Sequence, residues 1–233
     1  AKYYKIHLKD GTKLKERFFK EGLCGANITV PHKEQAFMAS DYLDPFAKSV
    51  GAVNTLVLKN GALYGYNTDA PGFLRSIEKF DDIKTILILG AGGTTKASSV
   101  TLRDAEYRVT ILNRSSGRLQ PFIENGFECY SFDNFKVGQY DLIVNMTSAG
   151  LSDDSLPAPK ELLEELLSNA KAVVDIIYGK ETPFLKLAKA YNLPFSDGKE
   201  MLIQQAVLAF DLFIDGEYDL ERVEAIMQNA IAS

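Results

Sequence analysis

The run Gly90-Ala91-Gly92-Gly93-Thr94-Thr95-Lys96-Ala97 constrains this chain more than any other feature. It directly follows Thr85-Ile86-Leu87-Ile88-Leu89, a near-continuous apolar stretch of the kind found in parallel strands covered on both faces. A strand, a glycine-rich turn and a helix start in that order form a phosphate cradle. Gly90 permits the tight turn, and Gly92 and Gly93 let backbone approach an anion. The free N–H groups and dipole of the helix start, reached through Ala91 and Thr94, favour negative charge. The third small position of the dinucleotide fingerprint is Thr95 rather than Gly or Ala, so the strand–helix packing must differ slightly. A structural glycine turn without a nucleotide is the plainer alternative.

The spot about 20 residues on decides which nucleotide. An NAD site usually places Asp or Glu there, against the ribose hydroxyls. This chain places Asn113-Arg114-Ser115 and then Arg118. Two guanidinium groups and a hydroxyl with no carboxylate suit a dianionic 2′-phosphate, so NADP is the expected cofactor. Either arginine alone would read as a solvated surface residue.

Around this turn, YRVTIL, FECYSF, YDLIVN and KAVVDII read as further strands separated by helix or loop. The alternation predicts a doubly wound α/β unit over roughly residues 81–197. Before it, residues 2–8 read as a strand, 12–21 as a helix, 26–30 as a buried strand ended by Pro31, 33–40 as a helix and 52–58 as a strand. Asp44-Pro45 starts a helical turn, and Asn60-Gly61 is a hairpin signal leading into ALYGY. Thr68 or Asp69 can cap a helix to about residue 79. MLIQQAVLAFDLF and residues 219–231 are helical. The expected architecture is an NADP-binding Rossmann-like domain (81–200) inserted in a smaller α/β substrate domain (1–80, with 201–233 returning to it).

Three segments outside the nucleotide unit, Asn27 to Lys33, Val53-Asn54-Thr55 and Tyr66 to Asp69, put amide, hydroxyl and charged groups at strand ends, where a cleft can be lined. A polyhydroxylated substrate needs such partners. Lys33 can supply a proton to a carbonyl oxygen being reduced, and Asp69 can orient it or share the proton. His32, on what reads as an extended segment, would point away from Lys33. Spacing alone does not bring Lys33 to Asp69, and each segment singly is an ordinary turn.

The runs GANITVPHKE, VGAVNTL, YGYNTDAPGF, LGAGGTTKA, NRS, NMTSAG, DIIYGKETPFL and GKEMLIQQAVLAF, in this order over residues 25–214, resemble the motifs of shikimate dehydrogenases. The resemblance implies a two-domain enzyme of aromatic amino-acid biosynthesis that reversibly reduces 3-dehydroshikimate to shikimate with NADPH. It implies a catalytic pair at Lys33 and Asp69. Thr29, Asn54 and Gln205 match substrate-hydroxyl contacts, and Tyr178 matches a cleft tyrosine. Asn113, Arg114, Ser115 and Arg118 match the adenosine-phosphate clamp. Thr147 and Ser148 lie near the cofactor in the family, and Gly198 and Met201 line its nicotinamide site. A quinate or aminoshikimate dehydrogenase is a close variant, although quinate enzymes more often use NAD with an acidic ribose contact. A sensor keeping the fold without turnover belongs to another class, and the retained Lys33, Asp69 and Gln205 speak against it. The family opens with a strand and helix whose Ser-x-Ser segment grips the substrate carboxylate. That segment is not in this sequence, which starts roughly 30 residues into a domain of the family's size. We expect the sequence to be missing its start rather than the protein to lack it. A natural deletion would leave a sheet edge bare and put substrate affinity in doubt.

The bulk properties agree. A net charge of −5 disfavours nucleic acid and anionic membranes as partners. The two cysteines, Cys24 and Cys129, make no disulfide framework, and the two histidines, His7 and His32, give no metal-ligand spacing. With no apolar run of membrane-spanning length and no signal-peptide core, a cytoplasmic monomer or homodimer is the expectation.

Overall fold

The computed structural model describes residues 2–232, with side chains to 230. The chain forms two compact units, residues 1–68 with 206–233 and residues 69–205.

The first unit is built on a four-stranded sheet in the order β1-β3-β4-β2, from β1 (Gly25–Asn27), β2 (Tyr42–Leu43), β3 (Thr55–Lys59) and β4 (Ala62–Tyr66). β3 and β4 form the hairpin that Asn60-Gly61 announces, with Leu58 opposite Leu63. Three short helices cover the sheet: α1 (Leu14–Lys20), α2 (Lys33–Ala39) and α3 (Pro45–Val50). The Asp44 carboxylate caps α3 by accepting from the N–H groups of Phe46 and Ala47, and Pro45 sits where a missing N–H does no harm. Leu14, Phe18, Ala36, Val53, Leu56 and Leu63 form the core of this unit.

Two expectations need correction here. Residues 2–8 carry a strand-like pattern but make no strand. Their Tyr3 and Tyr4 side chains are 78% and 52% exposed, and β1 pairs with β3 alone among the described strands. A cavity of about 320 Å³ lies where they run past α1 and β1. Apolar alternation makes a strand only beside a backbone it can bond. The second correction is that the strand expected over 26–30 stops at Asn27. The His32 N–H donates to the Thr29 carbonyl, which turns the chain instead of extending it.

The second unit follows the nucleotide-binding pattern. α4 (Asp69–Ile77) leads into β5 (Thr85–Leu89), α5 (Gly93–Asp104), β6 (Arg108–Asn113), α6 (Gln120–Glu124) and β7 (Glu128–Ser131). Then come β8 (Leu142–Asn145), α7 (Lys160–Leu167), β9 (Ala172–Asp175), α8 (Pro183–Ala190) and β10 (Phe195–Ser196). All six strands are parallel, in the order β10-β9-β8-β5-β6-β7. That is the doubly wound order, whose direction reverses between β5 and β8. The period of two along each strand explains the two-sided core. Ile86 and Ile88 face one layer with Phe73, Leu102, Ile111 and Val144, while Leu87 and Leu89 face the other with Leu163, Val173 and Phe184. α9 (Lys199–Ile214) starts in this unit and ends in the first, and α10 (Leu220–Ala232) belongs to the first. Among the described residues no helix is long and apolar enough to cross a membrane.

Candidate active site

The ends of β5, β6 and β8 surround a cleft of about 870 Å³ at the switch point, within the size range of ligand pockets. Gly90, Ala91 and Gly92 form one wall and Asn113, Arg114, Ser115 and Arg118 another. Thr147, Ser148 and the loop through Pro159 form a third.

The glycine turn shows why its sequence is needed. Gly90 has φ 107°, and a Cβ there would come within 2.7 Å of Thr147 Cγ2. The Gly90 N–H donates to the Leu112 carbonyl and the Met146 N–H to the Leu89 carbonyl, so all three strand ends are tied together. Thr95, the departure from the fingerprint, is fully buried, and its hydroxyl donates to the Gly90 carbonyl at 3.0 Å. The bulk of threonine is absorbed by a bond that braces the turn from below. Twelve-residue α5 then starts at Gly93, directly after the cleft-lining Gly92.

At the β6 tip, Asn113 Nδ2 donates to the Ser115 carbonyl at 2.8 Å and shapes the turn that carries Arg114 and Ser115. Arg114, Ser115 and Arg118 are exposed. The one carboxylate among the described lining residues is Asp153. Bonds from the Ser155 hydroxyl and N–H and from the Gly150 N–H hold its carboxyl below the usual range. With no acid at the β6 tip, two guanidinium groups and a helix N-terminus, the cleft fits a nucleotide carrying an extra phosphate. Gly198 and Met201 do not line this cleft. The Gly198 N–H bonds to the Ile177 carbonyl, and Met201 packs on the layer around Phe73 and Ile86.

The other expected site residues divide between the units. In the first unit, the Ile28 N–H donates to the Asn54 carbonyl at 2.7 Å and the Val53 N–H to the Lys33 carbonyl at 3.1 Å. Thr29, Lys33 and Asn54 are therefore gathered at one end of the sheet. Asn54 is 2% exposed, and its side chain accepts from the Thr68 N–H at 2.8 Å and donates to the Thr68 hydroxyl at 3.0 Å. Thr68 thus fastens β4 to β3 just before Asp69, with its hydroxyl turned to Asn54. Lys33 is half-buried at the first residue of α2. His32 stands on a turn, and its Nε2 bonds the Leu8 carbonyl at 2.8 Å, which engages the ring elsewhere than in chemistry.

In the second unit, Asp69 starts α4, and Gln205 lies against Gly72 one turn on. Gln205 Nε2 donates to the Leu202 carbonyl at 2.9 Å. Tyr178, after β9, is 57% exposed. Sequence reasoning missed the part of the cleft wall made by Ser152, Asp153 and Ser155 to Pro159. Their Ser/Asp/Pro composition reads as an ordinary loop. The available signal was that YDLIVN ends at the switch point.

Residues 1–56 match the shikimate dehydrogenase substrate binding domain. The shikimate dehydrogenase (NADP(+)) of Helicobacter hepaticus is 44% identical over 98% of this chain and 88% of that protein. The chain belongs to the shikimate dehydrogenase family. The corresponding enzyme of Helicobacter pylori strain ATCC 700392 / 26695 is 42% identical over 97% of this chain and 85% of its own length. Among solved structures, the shikimate 5-dehydrogenase of Thermus thermophilus, in complex with NADP(H) and shikimate, superposes with a TM-score of 0.80. It is 34% identical and covers 94% of this chain and 83% of that one. The α/β architecture with a parallel nucleotide-binding sheet is that of the family.

Proposed function

We propose that this chain is an NADP-dependent shikimate dehydrogenase, reducing 3-dehydroshikimate to shikimate and running in reverse. The observation that carries this reading is the switch-point cleft, with Gly90 at its turn, Arg114 and Arg118 at the β6 tip and no carboxylate where an NAD enzyme keeps one. Ala91, Gly92, Gly93 and Thr94 hold the pyrophosphate, Asn113, Arg114, Ser115 and Arg118 the 2′-phosphate, and Thr147 and Ser148 the far wall. When bound, NADPH would supply the hydride for the keto carbon.

The remaining chemistry belongs to the chain's own residues. The oxygen left on that carbon needs a proton, and Lys33 Nζ gives it, while the Asp69 carboxylate orients Lys33 and shares the proton. Thr29, Asn54 and Gln205 meet the substrate hydroxyls, and Tyr178, Gly198 and Met201 border the reacting ring. Such polar partners reject analogues that lack a hydroxyl. The test is product identity. Incubation with 3-dehydroshikimate and NADPH should yield shikimate, resolved by chromatography, mole for mole with NADPH consumed. NADPH consumption without shikimate, or no consumption by the folded protein, would contradict the proposed reaction.

A further inference from the structure

We propose that Asp175 and Asn145 are positioning residues for cofactor binding: a buried carboxylate orients one amide, and that amide fixes the Thr147–Ala149 wall of the nucleotide cleft. They sit at the ends of adjacent strands, directly opposite each other in the β8–β9 register. Both are fully buried. Neither lines the cleft, whose wall after β8 begins at Met146.

The bonds run in one direction. Asp175 Oδ1 accepts from Asn145 Nδ2 at 3.1 Å and from the Ile177 N–H at 3.0 Å. Its Oδ2 accepts from the Thr182 hydroxyl at 2.6 Å, and that hydroxyl caps α8 by accepting from the Leu185 N–H. On the far side, Asn145 Oδ1 accepts from the Thr147 N–H at 2.9 Å and the Thr147 hydroxyl at 2.7 Å. The Thr147 hydroxyl in turn accepts from the Ala149 N–H at 3.1 Å.

An asparagine amide has a donor end and an acceptor end of nearly the same shape, so its neighbours must choose between them. The Thr147 N–H can only donate, which asks for the oxygen. An ionised Asp175 can only accept, which asks for the nitrogen. The two demands agree, and the amide has one orientation. No lysine or arginine among the described residues pairs with Asp175. Burial raises its carboxyl pKa, opposed by the bonds from Thr182, Ile177 and Asn145. Holding a buried acid with neutral donors is unfavourable for stability alone. Its place here is explained by what it orders: the segment that packs directly against Gly90 at the cleft wall.

The inference rests on the cofactor reading, and direct NADP titration by calorimetry on the whole chain separates the two. If the wild type binds NADP but does not oxidise shikimate, the proposed activity fails and the positioning role is still measurable. Asn145→Asp sets two carboxylates face to face. It should weaken NADP binding by about tenfold or more, while the KM for shikimate at saturating NADP stays within about twofold. The exchange Asn145→Asp with Asp175→Asn restores one donor between the pair at the expense of the acceptor for the Ile177 N–H, and should recover part of the loss. Asn145→Leu adds no charge to the interior and serves where the acid variant does not fold. It should weaken NADP binding to a similar degree. Unchanged NADP affinity in a folded Asn145 variant would overturn the proposal. An exchange variant no better than Asn145→Asp, or a parallel loss of NADP and shikimate affinity, would do the same.

Discussion

Gly72 of α4 lies so close to Gln205 of α9 that a Cβ on it would come within 2.6 Å of the Gln205 backbone nitrogen. The obstacle is backbone, which cannot swing aside as a long side chain can. Gly72→Ala should therefore push the two helices apart and displace the Gln205 side chain. We expect a stability loss of about 1–3 kcal/mol by denaturant unfolding. The KM for shikimate should rise with little change in NADP affinity. An equal loss of both affinities would show that Gln205 has no special share in substrate binding.

Arg114 and Arg118 set the choice between cofactors. A charge-assisted bond to a phosphate contributes about 1.5–3 kcal/mol, so removing either arginine should lower the NADP-over-NAD preference by about tenfold or more. The loss should fall on the NADP KM and leave NAD-dependent rates near their starting level. An unchanged preference in the double variant would remove the clamp assignment.

Lys33→Ala should reduce turnover by about 10²- to 10⁴-fold, the usual contribution of a positioned acid or base. NADP affinity should be unaffected, since Lys33 lies in the first unit and the nucleotide cleft is built wholly from the second. Calorimetric titration with NADP beside steady-state turnover makes the distinction. A variant that loses cofactor binding together with turnover would contradict a proton-donor role.

Asp141 predicts part of the acid sensitivity. Burial raises its carboxyl pKa, but bonds from the Lys84 and Thr85 N–H groups, the Lys171 ammonium and the Thr85 hydroxyl outweigh this. The net value lies well below the usual carboxylate range. A group depressed in the folded state stabilises above its unfolded pKa of about 3.9, and that contribution disappears as pH falls through the folded value. Asp141→Asn should therefore destabilise the protein near neutrality by about 1–3 kcal/mol. The gap to wild type should narrow in acid. Denaturant unfolding at several pH values checks it, and a gap that widens as pH falls would contradict the sign.

The second unit was legible in the sequence because local and long-range signals agree there. TILIL is apolar on both faces because both faces are covered, and the glycine turn follows it at once. The first unit was harder. The alternation in residues 2–8 looks the same whether or not a neighbouring strand exists. His32 reads as part of an extended segment, whereas the Thr29–His32 bond puts it on a turn. The grouping of Thr29, Lys33 and Asn54 depends on two backbone bonds between segments about 20 residues or more apart, which no spacing rule encodes. Asn145 and Asp175 escaped notice for a different reason. They ligate nothing, and their part is visible only once the register sets them side by side.

NADP-dependent oxidation of shikimate is read out by a single assay. The folded protein is given shikimate with NADP or with NAD in parallel, and the absorbance of the reduced nicotinamide is followed. A strong signal with NADP and a much weaker one with NAD is the expected result. No signal with either cofactor, or a preference for NAD, would contradict it.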